Sequence, residues 1–123
     1  QCRMPFDPSI ATEPYCYLTT RGRVSGEPRE IEIWFALEGD VLFLMAGGRE
    51  RAHWVRNLQR EPAVSVRIRG VTYAARARVV APGTPEDARA RVLLHDKYQP
   101  TYDKSLRTWA DTSLPVAIEV AEG

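Results

Sequence analysis

Apolar and polar positions follow a clear period along most of this chain, and the period changes from segment to segment. Residues 15–20 (YCYLTT) are aromatic and β-branched, which predicts a strand. Residues 29–37 (REIEIWFAL) alternate: Arg29, Ile31, Ile33, Phe35 and Leu37 share one expected face, and Glu30, Glu32, Trp34 and Ala36 share the other. Glu38-Gly39-Asp40 reads as a hairpin turn. Residues 41–46 (VLFLMA) form a continuous apolar run, as in a strand covered on both faces. Gly47 and Gly48 break that run. Residues 51–60 switch to helical spacing with Trp54, Val55 and Leu58 on one side, and Glu61-Pro62 ends the helix. Residues 63–69 and 72–80 predict two strands around a turn at Gly70. Thr84, Pro85 and Asp87 resemble a helix N-cap, and residues 86–97 read as a helix with Ala88, Val92 and Leu93 inward. A polar and aromatic stretch holding Tyr98, Tyr102 and Trp109 leads to a last strand over 114–120. The first 14 residues, with Pro5, Pro8 and Pro14, read as an extended arm.

This order predicts a mainly β domain with flanking helices. Most strands are joined by short turns, so the sheet is mostly antiparallel. About six strands with two to three helices in this length suit a small barrel with helices at its ends or side. A single domain over residues 1–123 is expected.

Composition narrows the function classes. Net charge is +1, so no global basic field argues for a nucleic-acid partner. Cys2 and Cys16 are the only cysteines, too few for a disulfide scaffold or a cysteine zinc site. His53 and His95 lie far apart, so no metal site is expected. No apolar run approaches the ~20 residues of a membrane helix, and no secretory pattern opens the chain. Free thiols in a reducing cytoplasm are the economical reading.

The candidate chemistry lies in residues 18–29 (LTTRGRVSGEPR). A strand enters a tight loop with two glycines, a proline and three arginines before the next strand begins. Gly22 and Gly26 allow close approach of backbone N–H groups, and Arg21, Arg23 and Arg29 offer guanidinium forks suited to phosphate or carboxylate. A solvated hairpin tip is the plain alternative. Trp54 has helical spacing and suits a core position as well as a cofactor wall. Trp34 faces away from the Ile31/Ile33/Phe35 set and suits a pocket or an interface. His53 is expected on a solvent-facing helix position, with contact to a phosphate as a second reading. Glu30 and Glu32 are expected to pair with arginines of a neighbouring strand such as Arg76 or Arg78. Arg67, Arg69, Arg76 and Arg78 read as a solvated face, a dimer seam or part of an anion groove. No Ser/His/Asp spacing or carboxylate pair stands out.

Three segments in order carry a resemblance: the loop TTRGRVSGEPR with the strand IEIWF, the segment GGRERAHWVRNL, and EPAVSV followed by Trp109 and Leu114-Pro115-Val116. Across residues 18–120 the chain resembles the deazaflavin-dependent nitroreductase family. The resemblance implies a split β-barrel like those of the FMN-binding, pyridoxamine-phosphate-oxidase-like flavoproteins. It also implies coenzyme F420 as cofactor and a homodimer. The implied reaction is hydride transfer to a small hydrophobic acceptor, a quinone, nitro compound or enone. The loop would hold the coenzyme's phosphate through Arg21, Arg23, Ser25 and Arg29. Family members often carry a second basic residue where this chain has Val24. Gly47, Gly48, Arg51, Trp54 and Asn57 would lie against the ring system, with Trp34 a further contact. Tyr98 and Tyr102 are candidates for the substrate side. An FMN enzyme on the same barrel and a non-catalytic coenzyme carrier are the rival expectations.

Overall fold

The apolar run at 41–46 organises the molecule. In the computed structural model, which describes residues 6–121, strand β4 (Val41–Ala46) is covered on both faces. Leu42 and Leu44 point into one core, and Phe43 and Met45 into another. Strand β7 (Leu114–Val120) lies antiparallel to it and divides likewise, with Val116 and Ile118 in the first core and Ala117 in the second. The first core fills the concave side of the sheet. The second is the layer between the sheet and helix α2 (Pro85–Tyr98). Each of these fully buried aliphatic side chains contributes about 1.5–3 kcal/mol through burial.

The remaining strands are β1 (Cys16–Arg21), β2 (Pro28–Ile33), β3 (Ala36–Glu38), β5 (Ala63–Ile68) and β6 (Val71–Val79). The seven-stranded sheet has the order β2-β1-β5-β6-β7-β4-β3, and every ladder is antiparallel. Strands β2 and β3 occupy opposite ends of that order, yet only Trp34 and Phe35 separate them in sequence. Three Cα–Cα steps reach at most ~11 Å. The two edges therefore converge at this corner and the sheet curls into a split β-barrel. Turn chemistry supports the hairpins: Arg69 and Gly70 between β5 and β6 both have positive φ, 54° and 79°, as a tight two-residue turn requires.

Several sequence expectations need correction. The single strand expected over 29–37 is two, because Phe35 and Ala36 are buried in succession and interrupt the alternation. That raises the strand count from about six to seven. The expected extended arm contains a 3-10 turn, Pro8–Thr12, capped by the Asp7 carboxylate, which accepts from Ser9 N at 3.0 Å. Phe6 and Ile10 anchor it in the first core. Helix α2 begins at its expected cap, where Thr84 Oγ1 accepts from Asp87 N at 3.2 Å. Its buried stripe is Ala90, Leu94 and Tyr98, while Ala88 and Val92 face solvent. Apolar residues surround much of that helix, so spacing alone did not select the face. Helix α3 (Arg107–Thr112) was not expected; it is short, polar and held by tertiary contacts, including Arg91 Nη1 donating to Ala110 O at 2.8 Å.

The strand arginines are mostly paired. Glu30 reaches across β1 to Arg67 at 3.2 Å rather than to Arg76 or Arg78, which lie on β6, further along the sheet. Arg78 binds Glu86 at 2.7 Å, with Glu119 at 3.7 Å, and Arg69 lies 3.8 Å from Glu13. These are exposed pairs, each worth about 0–1 kcal/mol. Cys16 is buried on β1 as a free thiol, and burial pushes it up to about 12; Cys2 lies outside the described residues.

Candidate functional site: a basic and apolar cleft beside the β1–β2 loop

The β1–β2 loop is a folded object. Gly22 N donates to Glu27 O at 2.8 Å, and Gly26 N donates to Gly22 O at 2.7 Å. A Cβ at Gly22 would meet Ser25 Oγ at 2.9 Å, so close approach requires glycine there. Gly26 has φ 75° and turns the chain at the tip. Arg21 braces the loop by donating from Nη1 to Gly26 O at 3.1 Å. Ser25 Oγ accepts from Glu27 N at 3.2 Å.

Between this loop, β2 and helix α1 (His53–Arg60) lies a cleft of about 470 Å³. Its lining mixes polar and basic side chains, Arg23, Ser25, Arg29 and His53, with apolar ones, Val24, Ile31 and Trp54. No carboxylate lines it among the described residues. Arg29 has no ion-pair partner among the described residues, so its guanidinium is available to a ligand. Arg23 Nη1 donates to Asn57 Oδ1 at 2.9 Å, and Arg23 Nη2 lies 3.2 Å from His53 Nδ1. Trp54 joins the cleft to the cores beneath it.

The structure brings together Arg23, Ser25, Arg29, Trp54 and Asn57 of the expected set. Gly22, Thr20, Val24, Ile31 and His53 complete the lining. Of these, Ile31 was read only as a strand position, since contact with a cleft has no local sequence signal. His53 is exposed, as expected of a solvent-facing position, but its ring touches Arg23. Arg21 lies on the far side of the loop, in a second, polar depression of about 340 Å³ with Arg60 and Glu61. Gly48 and Arg51 flank the 3-10 turn that leads to α1, and Arg51 is exposed.

Trp34, Gly47, Tyr98 and Tyr102 gather elsewhere. Trp34 stacks on Tyr98, with ring centroids 4.2 Å apart and planes 3° from parallel. Tyr102 and Trp109 meet it edge-on, and a Cβ at Gly47 would lie 3.8 Å from Trp109. A depression of about 260 Å³ opens beside Trp34, Trp109, Met45 and Glu32. Tyr98 itself is buried, and burial pushes its hydroxyl up to about 12. Among the described residues no three His, Cys, Asp or Glu side chains cluster as metal ligands, and no helix is long and apolar enough to cross a membrane.

The cleft's chemistry fits a flat, partly apolar ring system carrying an anionic tail. Guanidinium donors line it without competing carboxylates among the described residues, beside an indole and aliphatic side chains.

An F420H(2)-dependent quinone reductase of Mycobacterium tuberculosis is 26% identical over 110 residues, covering 87% of this chain and 72% of the relative. A solved F420-H2 dependent reductase superposes with TM-score 0.66 at 26% identity, covering 87% of this chain and 94% of that one. The heme storage protein of Vibrio cholerae superposes with TM-score 0.76 at 16% identity over 98% of this chain and 93% of that one, which is a likeness of fold alone. The family model described as F420H(2)-dependent quinone reductase matches residues 7–121. The chain therefore belongs to the F420H(2)-dependent quinone reductase family, a family of oxidoreductases that use coenzyme F420.

Proposed function

We propose that the cleft between the β1–β2 loop and α1 holds coenzyme F420 and that the acceptor is a quinone. Nitro compounds and enones are the other acceptor classes of the same chemistry. The observation that carries the placement is the cleft's mixed lining, which joins Arg23 and Arg29 to Ile31 and Trp54 and includes no carboxylate among the described residues. The coenzyme carries a phosphodiester and glutamate carboxylates. Arg23 and Arg29 supply bidentate donors for such groups. Trp54 and Ile31 supply the apolar wall against which a ring can lie. The chemistry supplied by reduced F420 is donation of a hydride from its ring carbon. The protein's part is binding, orientation and exclusion of water, which needs no acid–base dyad. The quinone choice is supported by the names of the family and of the mycobacterial relative.

A homodimer is part of this reading. Val24 stands at the cleft's rim with 95% of its surface exposed, an apolar side chain that a second chain would cover. A cytoplasmic location accords with a free, buried Cys16.

The test is titration with F420 and, separately, FMN, read by tryptophan fluorescence. Saturable quenching by F420 alone is expected, followed by turnover with a quinone panel. Binding of FMN alone would place the protein on the flavin branch of the same fold. Binding of F420 without turnover of any acceptor class would make it a carrier.

A further inference from the structure

The Arg23 side chain is held before any ligand arrives. Its backbone N–H donates to Asn57 Oδ1 at 3.2 Å, and its Nη1 donates to the same oxygen at 2.9 Å. Its Nη2 lies 3.2 Å from His53 Nδ1. A guanidinium carries only donors, so this contact is a hydrogen bond in the tautomer that leaves His53 Nδ1 as acceptor. Asn57 is 4% exposed, and its Nδ2 donates to Thr20 Oγ1, itself on a residue 1% exposed, at 3.2 Å. The Asn57 amide thus spends its oxygen on the loop and one of its two N–H donors on β1.

We propose that Asn57 is a positioning residue, acting on the bound coenzyme through Arg23. The proposal rests on the coenzyme occupying this cleft. A free arginine side chain surrenders rotamer freedom when it is fixed. Asn57 imposes that cost during folding, so the anion meets a guanidinium already oriented. Two of the five N–H donors are spent on Asn57 and His53, and the rest remain for a ligand. The bond from Arg23 N also ties the loop to α1, 34 residues away in sequence. The neutrality of the amide matters as much as its shape. An aspartate would still accept from Arg23 N and Nη1, but it would lose the amide donor to Thr20 Oγ1 and its charge would compete with the ligand for Arg23.

The test compares wild type, Arg23→Ala, Asn57→Ala, the double variant and Asn57→Asp, each for F420 affinity and melting temperature. Asn57→Ala should bind F420 at least about tenfold more weakly, the scale of one charge-assisted hydrogen bond. The double variant should bind no more weakly than Arg23→Ala, because the two act as one. Asn57→Asp keeps both acceptor bonds to Arg23 and should still lose affinity, whereas a residue that only held the loop would leave affinity at the wild-type value. Additive losses in the double variant, or wild-type affinity in Asn57→Asp, would overturn the proposal. The locking has its own readout without coenzyme: amide hydrogen exchange over residues 22–26 should quicken in Asn57→Ala but not in Arg29→Ala. Unchanged exchange would overturn it whether or not F420 binds. Failure of the wild-type protein to bind F420 would sink the assignment of the cleft instead.

Discussion

The hydroxyl of Tyr98 accepts a hydrogen bond from Phe35 N at 3.0 Å and donates to Pro14 O at 2.6 Å. This pairing satisfies a backbone N–H at the point where the chain leaves β2 and has not yet joined β3. It also ties α2 to the barrel's seam. Tyr98 is therefore placed to serve the closure of the barrel.

Removing only the oxygen tests that role. Tyr98→Phe leaves the buried Phe35 N without a partner, which costs about 1–3 kcal/mol. Urea unfolding should show that loss, while kcat and F420 affinity stay near wild type. An unchanged unfolding midpoint with a large fall in kcat would make Tyr98 a catalytic group.

The loop arginines should separate by role. Arg29 has its guanidinium in the cleft, so Arg29→Ala should weaken F420 binding with little change in melting temperature. Arg21 braces the loop through Gly26 O, and Arg21→Ala should act by loosening the loop, seen as faster amide exchange there. Equal effects of both substitutions on affinity and exchange would mean that the loop responds as one piece.

Alkaline stability should carry the mark of Cys16 and Lys97. Burial holds the Cys16 thiol at about 12 against an ordinary 9.0, so above pH 9 the unfolded chain loses a proton that the folded one keeps. Stability contributed by that thiol is present below pH 9 and falls as pH rises toward 12. Lys97, half-buried with Nζ 2.9 Å from Phe35 O, works the other way. Burial lowers it to about 8 from 10.5, so between those values the unfolded chain binds more protons and stability rises with pH. Urea midpoints measured from pH 8 to pH 11 should therefore decline less in Cys16→Ala than in wild type, and more in Lys97→Met. Parallel pH profiles for all three proteins would show that neither group is buried as described.

The concave core should be sensitive to volume. Leu44 is fully buried on β4, and Leu44→Ala should cost about 2–5 kcal/mol through lost burial and the cavity left behind. Exposed Val92→Ala on α2 should change stability by less than about 0.5 kcal/mol, although the sequence placed it inward. Denaturant midpoints for the pair would check both.

Light scattering on the eluting protein should give twice the mass of the 13.9 kDa chain at micromolar concentration. A monomer there, with F420 bound, would show that one chain suffices for the site.

Local chemistry carried much of this protein. The apolar run at 41–46 suited a strand covered on both faces, because no alternation left a face for water, and Thr84 with Asp87 marked a helix start through a contact three residues long. The arginine loop was readable because glycines, serine and arginines within ten positions build their own turn. Residues far apart in sequence needed the folded chain. Whether Ala88 or Ala90 faced the sheet depended on where Tyr98 could reach Phe35 and Trp34. The break at Trp34-Phe35 followed from β2 and β3 pairing at opposite ends of a curled sheet, a constraint that alternation within one segment does not contain. Asn57 read as one more cofactor contact until the fold set its amide between Thr20 and Arg23, since hydrogen-bond partners 34 and 37 residues away leave no mark in spacing.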